Sequence, residues 1–141
     1  MQDVALVFGL ITILGGVYMA GVLMRVGRPF SGATTTRLSP AVVFSHGTVA
    51  VIGVGVWMVY MSYQDKGLAW ASIGLLVVAV LIGTVMFLQW LKGKHGPVKE
   101  TGGDRHRLAE QQISSVVVHG HGLLAAVTIL FAVLVALGIG D

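Results

Sequence analysis

The stretch from Leu68 to Leu91 reads LAWASIGLLVVAVLIGTVMFLQWL and contains no Asp, Glu, Lys or Arg. Its apolar residues would cover every face of a helix, whereas a strand of a membrane barrel alternates apolar and polar residues over about ten positions. At about 1.5 Å per residue, a helix of this length crosses the roughly 30 Å hydrocarbon core of a bilayer. The stretch therefore predicts a transmembrane helix.

Three further stretches share this composition: Val4 to Met24, Ala41 to Tyr63, and Ile113 to Gly140. We expect helices over residues 4–24, 41–63, 68–91 and 110–140, the last beginning before it enters lipid. With 55% hydrophobic and 11% charged residues, the 141-residue chain has too few polar side chains to cover a soluble globule. The sequence predicts one all-α domain, an integral membrane four-helix up-and-down bundle in contact with the lipid bilayer.

Positive charge is confined almost entirely to two of the three connections between these helices. The first connection holds Arg25, Arg28 and Arg37, and the third holds Lys92, Lys94, Lys99, Arg105 and Arg107. The positive-inside rule places both, including the basic loop 92–109, in the cytoplasm and both termini outside it, in a bacterial-type inner (plasma) membrane. Basic residues in such connections typically determine membrane topology and contact anionic lipid headgroups, so no nucleic-acid partner is expected. The absence of cysteine excludes disulfides and thiolate chemistry.

Aromatic residues concentrate near the predicted ends of the helices. They are Trp57, Tyr60, Tyr63 and Trp70 around the second connection and Trp90 near the end of the third helix. This placement is typical of the aromatic belts at membrane interfaces.

The second and fourth helices are related by a weak internal repeat. At an offset of 75, Ser39, Val42, Val43, His46, Gly47 and Ala50 match Ser114, Val117, Val118, His121, Gly122 and Ala125. At an offset of 67, Leu14, Gly16 and Met19 of the first helix match Leu81, Gly83 and Met86 of the third. The repeat predicts two helix hairpins related by a pseudo-two-fold axis along the membrane normal.

The repeat places His46 and His121 at one depth, together with Met19 and Met86, roughly 9 Å inside the predicted cytoplasmic boundary at the rise of an α-helix. The second and fourth helices of an up-and-down bundle are diagonal, so the two imidazoles are expected to face each other across the core. His119 lies about 200° around the helix from His121 and is the alternative ligand if the repeat alignment is displaced by two residues.

Three interpretations of the side chains at this depth remain open. A haem with two axial imidazoles fits His46 and His121, with the small residues Gly47, Gly122, Ala50 and Ala125 leaving room for a flat ring. A copper ion fits if the thioethers of Met19 and Met86 join the two histidines. Without any cofactor, each histidine forms a hydrogen bond across a helix interface that small residues bring close together.

The His46-Gly47 and His121-Gly122 pairs on alternate helices of a four-helix membrane chain resemble the small bacterial four-helix membrane b-type cytochromes. The resemblance covers the four spans and implies haem b, held by the two histidines, with electron exchange to quinone or a redox partner protein. Many such cytochromes hold two haems. In this chain the predicted non-cytoplasmic half of the bundle has no histidine, so one haem is expected. An electron carrier or a subunit of a homo- or hetero-oligomer is favoured over a stand-alone enzyme.

A non-redox membrane subunit or scaffold is the competing prediction. None of the four apolar stretches contains an acidic residue, so none offers a carboxylate relay for protons or cations. In this interpretation the histidines only lock helix packing.

Overall fold

A computed structural model describes residues 1–27, 36–95, 99–101, 104–106 and 108–139. Its helices are α1 (Gln2–Gly27), α2 (Pro40–Tyr63), α3 (Lys66–Lys94), α4 (Ala109–Gln112) and α5 (Ser115–Ala136). Helices α1, α2, α3 and α5 are each long and apolar enough to cross a membrane. The predicted all-α membrane bundle of four long helices is therefore confirmed.

The third connection is more ordered than the sequence predicts. Helix α3 continues to Lys94, beyond the predicted end at residue 91. A short antiparallel hairpin follows, in which β1 (Lys99–Thr101) pairs with β2 (Asp104–His106). The predicted basic loop 92–109 thus contains the end of α3, this hairpin and the first residue of α4.

The prediction of one continuous helix over 110–140 is wrong. Ile113 and Ser114 have extended backbones, with ψ of 125° and 132°, and they separate α4 from α5. The Lys94 Nζ donates hydrogen bonds to the carbonyls of Gln111 (3.3 Å) and Ile113 (3.1 Å). These carbonyls lie at the end of α4, where no helical N–H is available to them. Helix α5 ends at Ala136, before residue 140.

The long helices form a ring in the order α1, α2, α3, α5. The α2–α3 and α1–α5 pairs pack most extensively, whereas α1–α2 and α3–α5 meet along smaller contacts. Helices α2 and α5 are therefore diagonal, as predicted. A tight turn joins α2 to α3, with Gln64 in the left-handed region (φ 53°) and the Asp65 side chain accepting a hydrogen bond from the Gly67 amide at 2.6 Å.

Buried side chains form one group at each end of the bundle. At the end where α2 joins α3, the core consists of Ala5, Trp57, Tyr60, Ala69, Ile73, Ala132, Val135 and Ala136. At the other end, which carries Arg25, Arg37, Lys92 and Lys94 and is called the basic end below, a smaller cluster contains Leu23, Leu38 and Ala109. The two groups enclose a middle layer with different packing, described in the next section.

The predicted aromatic belt is correct for only part of its residues. Tyr63 and Trp70 are exposed, but Trp57, Tyr60 and Trp90 are buried. The Trp57 indole N–H donates to the carbonyl of Gln2 at 3.3 Å, and that of Trp90 donates to the carbonyl of Glu110 at 3.1 Å. A buried tryptophan needs a hydrogen-bond acceptor for its indole N–H. Because Trp57 and Trp90 find that acceptor inside the bundle, they do not have to lie at the membrane interface.

The α2–α3 interface contains a buried hydrogen bond between the helices. The hydroxyl of Ser72 donates to the carbonyl of Gly53 at 2.8 Å. Gly53 allows this close approach, because a Cβ there would lie 3.0 Å from a side-chain carbon of Leu76. Ser72 therefore joins the two helices at a point where their backbones are close.

We expect Ser72→Ala to lower the free energy of unfolding by about 0.6 kcal/mol, and by no more than about 1.7 kcal/mol, the range found for hydrogen bonds between membrane helices. The measurement is reversible unfolding in mixed micelles followed by circular dichroism. Ser62→Ala is the control, because the exposed Ser62 hydroxyl donates only to Met58 of its own helix. Equal losses in both variants would contradict a specific role for Ser72.

Candidate functional site

His46 projects from α2 onto the neighbouring helix α3. Its Nδ1 lies 2.9 Å from the carbonyl oxygen of Ala79. A carbonyl only accepts hydrogen bonds, so Nδ1 carries a proton, and in the neutral imidazole Nε2 keeps its lone pair. The ring lies over Gly83, where a Cβ would be 3.0 Å from the His46 Cε1.

His121 makes the equivalent contacts between α5 and α1. Its Nδ1 lies 3.0 Å from the carbonyl oxygen of Thr12, which again assigns the proton to Nδ1. The ring lies over Gly16, where a Cβ would be 3.3 Å from the His121 Cε1. Each histidine thus joins one of the two extensively packed helix pairs.

These contacts follow the offsets of the internal repeat. His46 and His121 are related by 75 residues, and the acceptor carbonyls of Thr12 and Ala79 are related by 67. The glycines beneath the rings, Gly16 and Gly83, are also related by 67. The repeat first seen in the sequence therefore describes a structural unit of histidine, carbonyl and glycine that occurs twice in the bundle.

The two imidazoles meet across the core. Their ring centres are 6.1 Å apart and the ring planes are inclined by 61°. Within the described part of the chain, neither Nε2 has a hydrogen-bond partner. Both rings thus retain an unshared lone pair while Nδ1 is held by a carbonyl, the arrangement in which histidine is usually found as a metal ligand.

The histidines lie in a layer of the bundle in which no residue is fully buried. Residues 10–22 of α1, 40–52 of α2, 80–89 of α3 and 115–127 of α5 include no buried residue, and we call this region the open layer. His46, His121, Gly16 and Gly83 are only half-buried, although they face other helices. Side chains at this depth are therefore more exposed than those at either end of the bundle.

Small residues lie beside the histidines along α2 and α5. Gly47 is half-buried and Gly122 is exposed, and a Cβ at either position would meet no atom within 4 Å. Ala50 and Ala125, one turn along each helix from the histidines, are half-buried. Gly122 therefore faces away from the other helices, and a role of these four residues beside a cofactor stays a prediction.

His119 is separated from the histidine pair. It is exposed, and its Nδ1 lies 2.7 Å from the carbonyl of Ser115 in its own helix. Its ring makes edge contacts with Phe87 (5.6 Å between centres) and Trp90 (5.9 Å) of α3. The repeat alignment, which selects His121 rather than His119 as the partner of His46, therefore agrees with the ring contact in the structure.

Met19 and Met86 are half-buried residues of the open layer. Met86 packs against the apolar cluster of Leu23, Leu38 and Ala109. Among the described residues, no group of three or more His, Cys, Asp or Glu side chains is arranged for a metal ion. A metal centre in this region would therefore depend on the two imidazoles, and thioether ligation stays a prediction.

The sequence analysis did not assign a role to three residues that shape this region. Gly16 and Gly83 appeared as members of the repeat, but their position beneath the rings depends on the rotation of α1 and α3. Glu110 is fully buried at the basic end. The loop holds two glutamates, Glu100 and Glu110, among its basic residues, and nothing in the sequence marks Glu110 for burial.

Comparison of the chain with protein-family models, with curated proteins and with solved structures found no match. The resemblance to membrane b-type cytochromes stays a prediction. The functional argument therefore depends on the geometry of the two histidines and the open layer.

We expect Gly83→Ala to destabilise the protein, because the new methyl group would lie 3.0 Å from the His46 Cε1 and force the ring away from the Ala79 carbonyl. Gly16→Ala should have the same effect on His121 but a smaller one, since the distance there is 3.3 Å. Thermal unfolding and the ¹⁵N chemical shifts of the histidine side chains measure the two effects.

Gly74→Ala is the matched control on α3, because a Cβ at Gly74 meets no atom within 4 Å. The higher helix propensity of alanine, worth up to about 1 kcal/mol, should leave this variant as stable as the parent or more stable. A Gly83→Ala variant that behaves like Gly74→Ala, with unchanged His46 shifts, would contradict the close contact.

Proposed function

We propose that the chain is a membrane electron-transfer protein that holds one b-type haem between His46 and His121. The observation that carries the proposal is the pair of repeat-related imidazoles, 6.1 Å apart between ring centres, each with Nδ1 held by a carbonyl. Haem iron in electron carriers is commonly held by axial histidines.

The separation of the rings supports axial ligation. Metal–imidazole nitrogen distances are about 2.0–2.1 Å. If both Nε2 atoms held one metal ion, the ring centres would be separated by roughly 6 Å, once the ring size is added to these bond lengths. The observed 6.1 Å would allow such a site, and it also lies in the range of an edge contact between two rings.

The open layer supports a large, flat ligand over a bare ion. Two imidazoles can hold an ion within a closely packed core, whereas a porphyrin needs room on all sides of the line that joins its axial ligands. No residue of the four long helices is buried at this depth, which favours such room.

A bound haem supplies reversible one-electron exchange, and this chain's residues control how it is held. The carbonyls of Ala79 and Thr12 fix the tautomer and direction of His46 and His121. The surrounding apolar helices provide the low-dielectric shell that influences the potential. Arg25, Arg37 and Lys92, exposed at the basic end, are suited to pair with the propionates. Arg28, predicted for the same role, lies outside the described residues.

The proposal includes the orientation and the partner expected from the sequence. The basic end faces the cytoplasm of a bacterial-type inner membrane, because eight of the nine Lys and Arg lie in the connections at that end. Quinone or a redox partner protein exchanges electrons with the haem. The chain then acts as a carrier or as a subunit of a larger assembly.

A non-redox scaffold is the second candidate, and the same hydrogen bonds favour it. The bond from His46 to Ala79 joins α2 to α3, and the bond from His121 to Thr12 joins α5 to α1. Both would stabilise helix packing without a cofactor. In that case, replacing either histidine weakens the fold and changes no spectrum.

We expect the protein purified in detergent from haem-replete cells to show a Soret band and, after reduction with dithionite, sharp α and β bands. His46→Ala and His121→Ala should each abolish these bands, because each removes one of the two axial ligands. The measurement is the visible spectrum together with the haem-to-protein ratio.

His119→Ala is the control, since His119 is exposed and contacts Phe87 and Trp90 rather than the pair. Its spectrum should match that of the parent. A folded, colourless parent protein would reject haem, and elemental analysis for copper in the parent and in Met19→Leu and Met86→Leu variants would then test the metal alternative. Loss of haem in His119→Ala alone would reject the assignment of His121.

A further inference from the structure

Glu110 is the largest fully buried side chain of the described residues, with 0% of its surface exposed. Its Oε1 accepts hydrogen bonds from the hydroxyl of Thr36 at 2.9 Å and from the backbone N–H of Arg37 at 2.6 Å. Its Oε2 is buried and has no hydrogen-bond partner among the residues that the structure describes. Burying a carboxyl group in this way costs free energy that its hydrogen bonds only partly offset, so the contacts it makes need an explanation.

The same residue is packed onto the end of α3. A Cβ at Gly93 would lie 2.8 Å from the Glu110 Cγ, so only glycine leaves room for this side chain. The backbone carbonyl of Glu110 accepts a hydrogen bond from the Trp90 indole at 3.1 Å. Lys94 adds hydrogen bonds to the carbonyls of Gln111 and Ile113. Helix α4 is thereby attached to the last turns of α3.

Glu110 consequently links the beginnings of the two helices that carry the paired histidines. Thr36 and Arg37 immediately precede α2, which begins at Pro40, and α4 immediately precedes α5, which begins at Ser115. Each histidine lies six residues after the first residue of its helix. Because α2 and α5 are diagonal and share no direct backbone contact in the described bundle, their relative position at the basic end depends on groups that contact both of them or the segments that precede them, and Glu110 is one such group.

We infer that Glu110 is a positioning residue that holds the beginnings of α2 and α5 in a fixed relation and so sets the separation of His46 and His121. This inference deepens the proposed function, since it concerns the same two histidines. The helix geometry it describes does not require a bound haem. Glu110 touches neither imidazole and acts only through the helices that it joins.

The absence of cysteine from the chain allows pairs of spin labels to be placed freely. One pair, Ala41→Cys with Val116→Cys, reports the α2–α5 distance at the basic end. A second pair, Ser62→Cys with Leu137→Cys, reports it at the opposite end. All four positions are exposed. Double electron–electron resonance in lipid nanodiscs measures both distance distributions in each background.

In the Glu110→Ala background, we expect the basic-end distribution to broaden and to shift by about 1–2 Å or more, the scale of helix displacements in switching proteins. The opposite-end distribution should stay unchanged, because the Trp57 and Tyr60 cluster holds that end independently. Glu110→Gln should retain the parent distribution, since the amide oxygen can accept the hydrogen bonds from Thr36 and Arg37. Gln112→Ala, an exposed position on the same short helix, is the matched control.

An unchanged basic-end distribution in Glu110→Ala, or equal broadening at both ends, would overturn the inference. If Glu110→Ala does not fold, Thr36→Ala replaces it, because that variant removes one of the two hydrogen bonds to Oε1. Broadening confined to the basic end supports the inference, and an unchanged distribution rejects it.

A redox titration of the same Glu110 variants without spin labels, followed by visible spectroscopy, separates this inference from the proposed function. A parent protein that binds haem should show a changed midpoint potential in Glu110→Ala and the parent potential in Glu110→Gln. A colourless parent with basic-end broadening in Glu110→Ala rejects haem and retains the positioning role. A coloured parent whose distances and potential do not respond to Glu110→Ala rejects the positioning role and retains haem.

Discussion

The hydrogen bond from an imidazole Nδ1 to a backbone carbonyl of the neighbouring helix is the interaction on which the middle of this bundle depends. An ionisable side chain inside an apolar helix is costly unless it has a partner. Here the partner is a carbonyl, of Ala79 for His46 and of Thr12 for His121. The bond sets the rotation of each helix toward its neighbour, requires glycine beneath the ring, and leaves Nε2 on the side away from the carbonyl.

The bundle consists of two related units that are alike around the histidines and different toward the opposite end. In the α2–α3 pair, Gly53 of α2 receives the side chain of Leu76 from α3. In the α1–α5 pair, the repeat-related positions are Thr128 of α5 and Gly9 of α1, so the glycine lies on the other helix. Either choice keeps one small residue at the contact and lets the helices approach closely. The histidine units, in contrast, retain the same residue types at the ring and beneath it.

Much of this architecture follows from sequence because its causes are local or periodic. Long apolar stretches specify the four helices, and the offset of 75 correctly pairs His46 with His121 rather than with His119. The break at Ile113 and Ser114 was not predicted, because it depends on Lys94 reaching carbonyls from another helix. The burial of Trp90 and Glu110 depends likewise on how α4 packs against α3. Such contacts join residues far apart in the chain, and the periodicity of the sequence does not predict them.

The pairing of α1 with α5 has a consequence for how the protein is assembled in the membrane. Helices α2 and α3 are joined by a tight turn and can associate as soon as both have been inserted. The main partner of α1, in contrast, is α5, which follows α3 in the chain. During translation Gly16 must therefore stay uncovered until residues 115–136 arrive, whereas Gly9 can already meet Val54 of α2. Of the four long helices, α1 waits longest for its main partner and is the most exposed to premature association with other membrane helices.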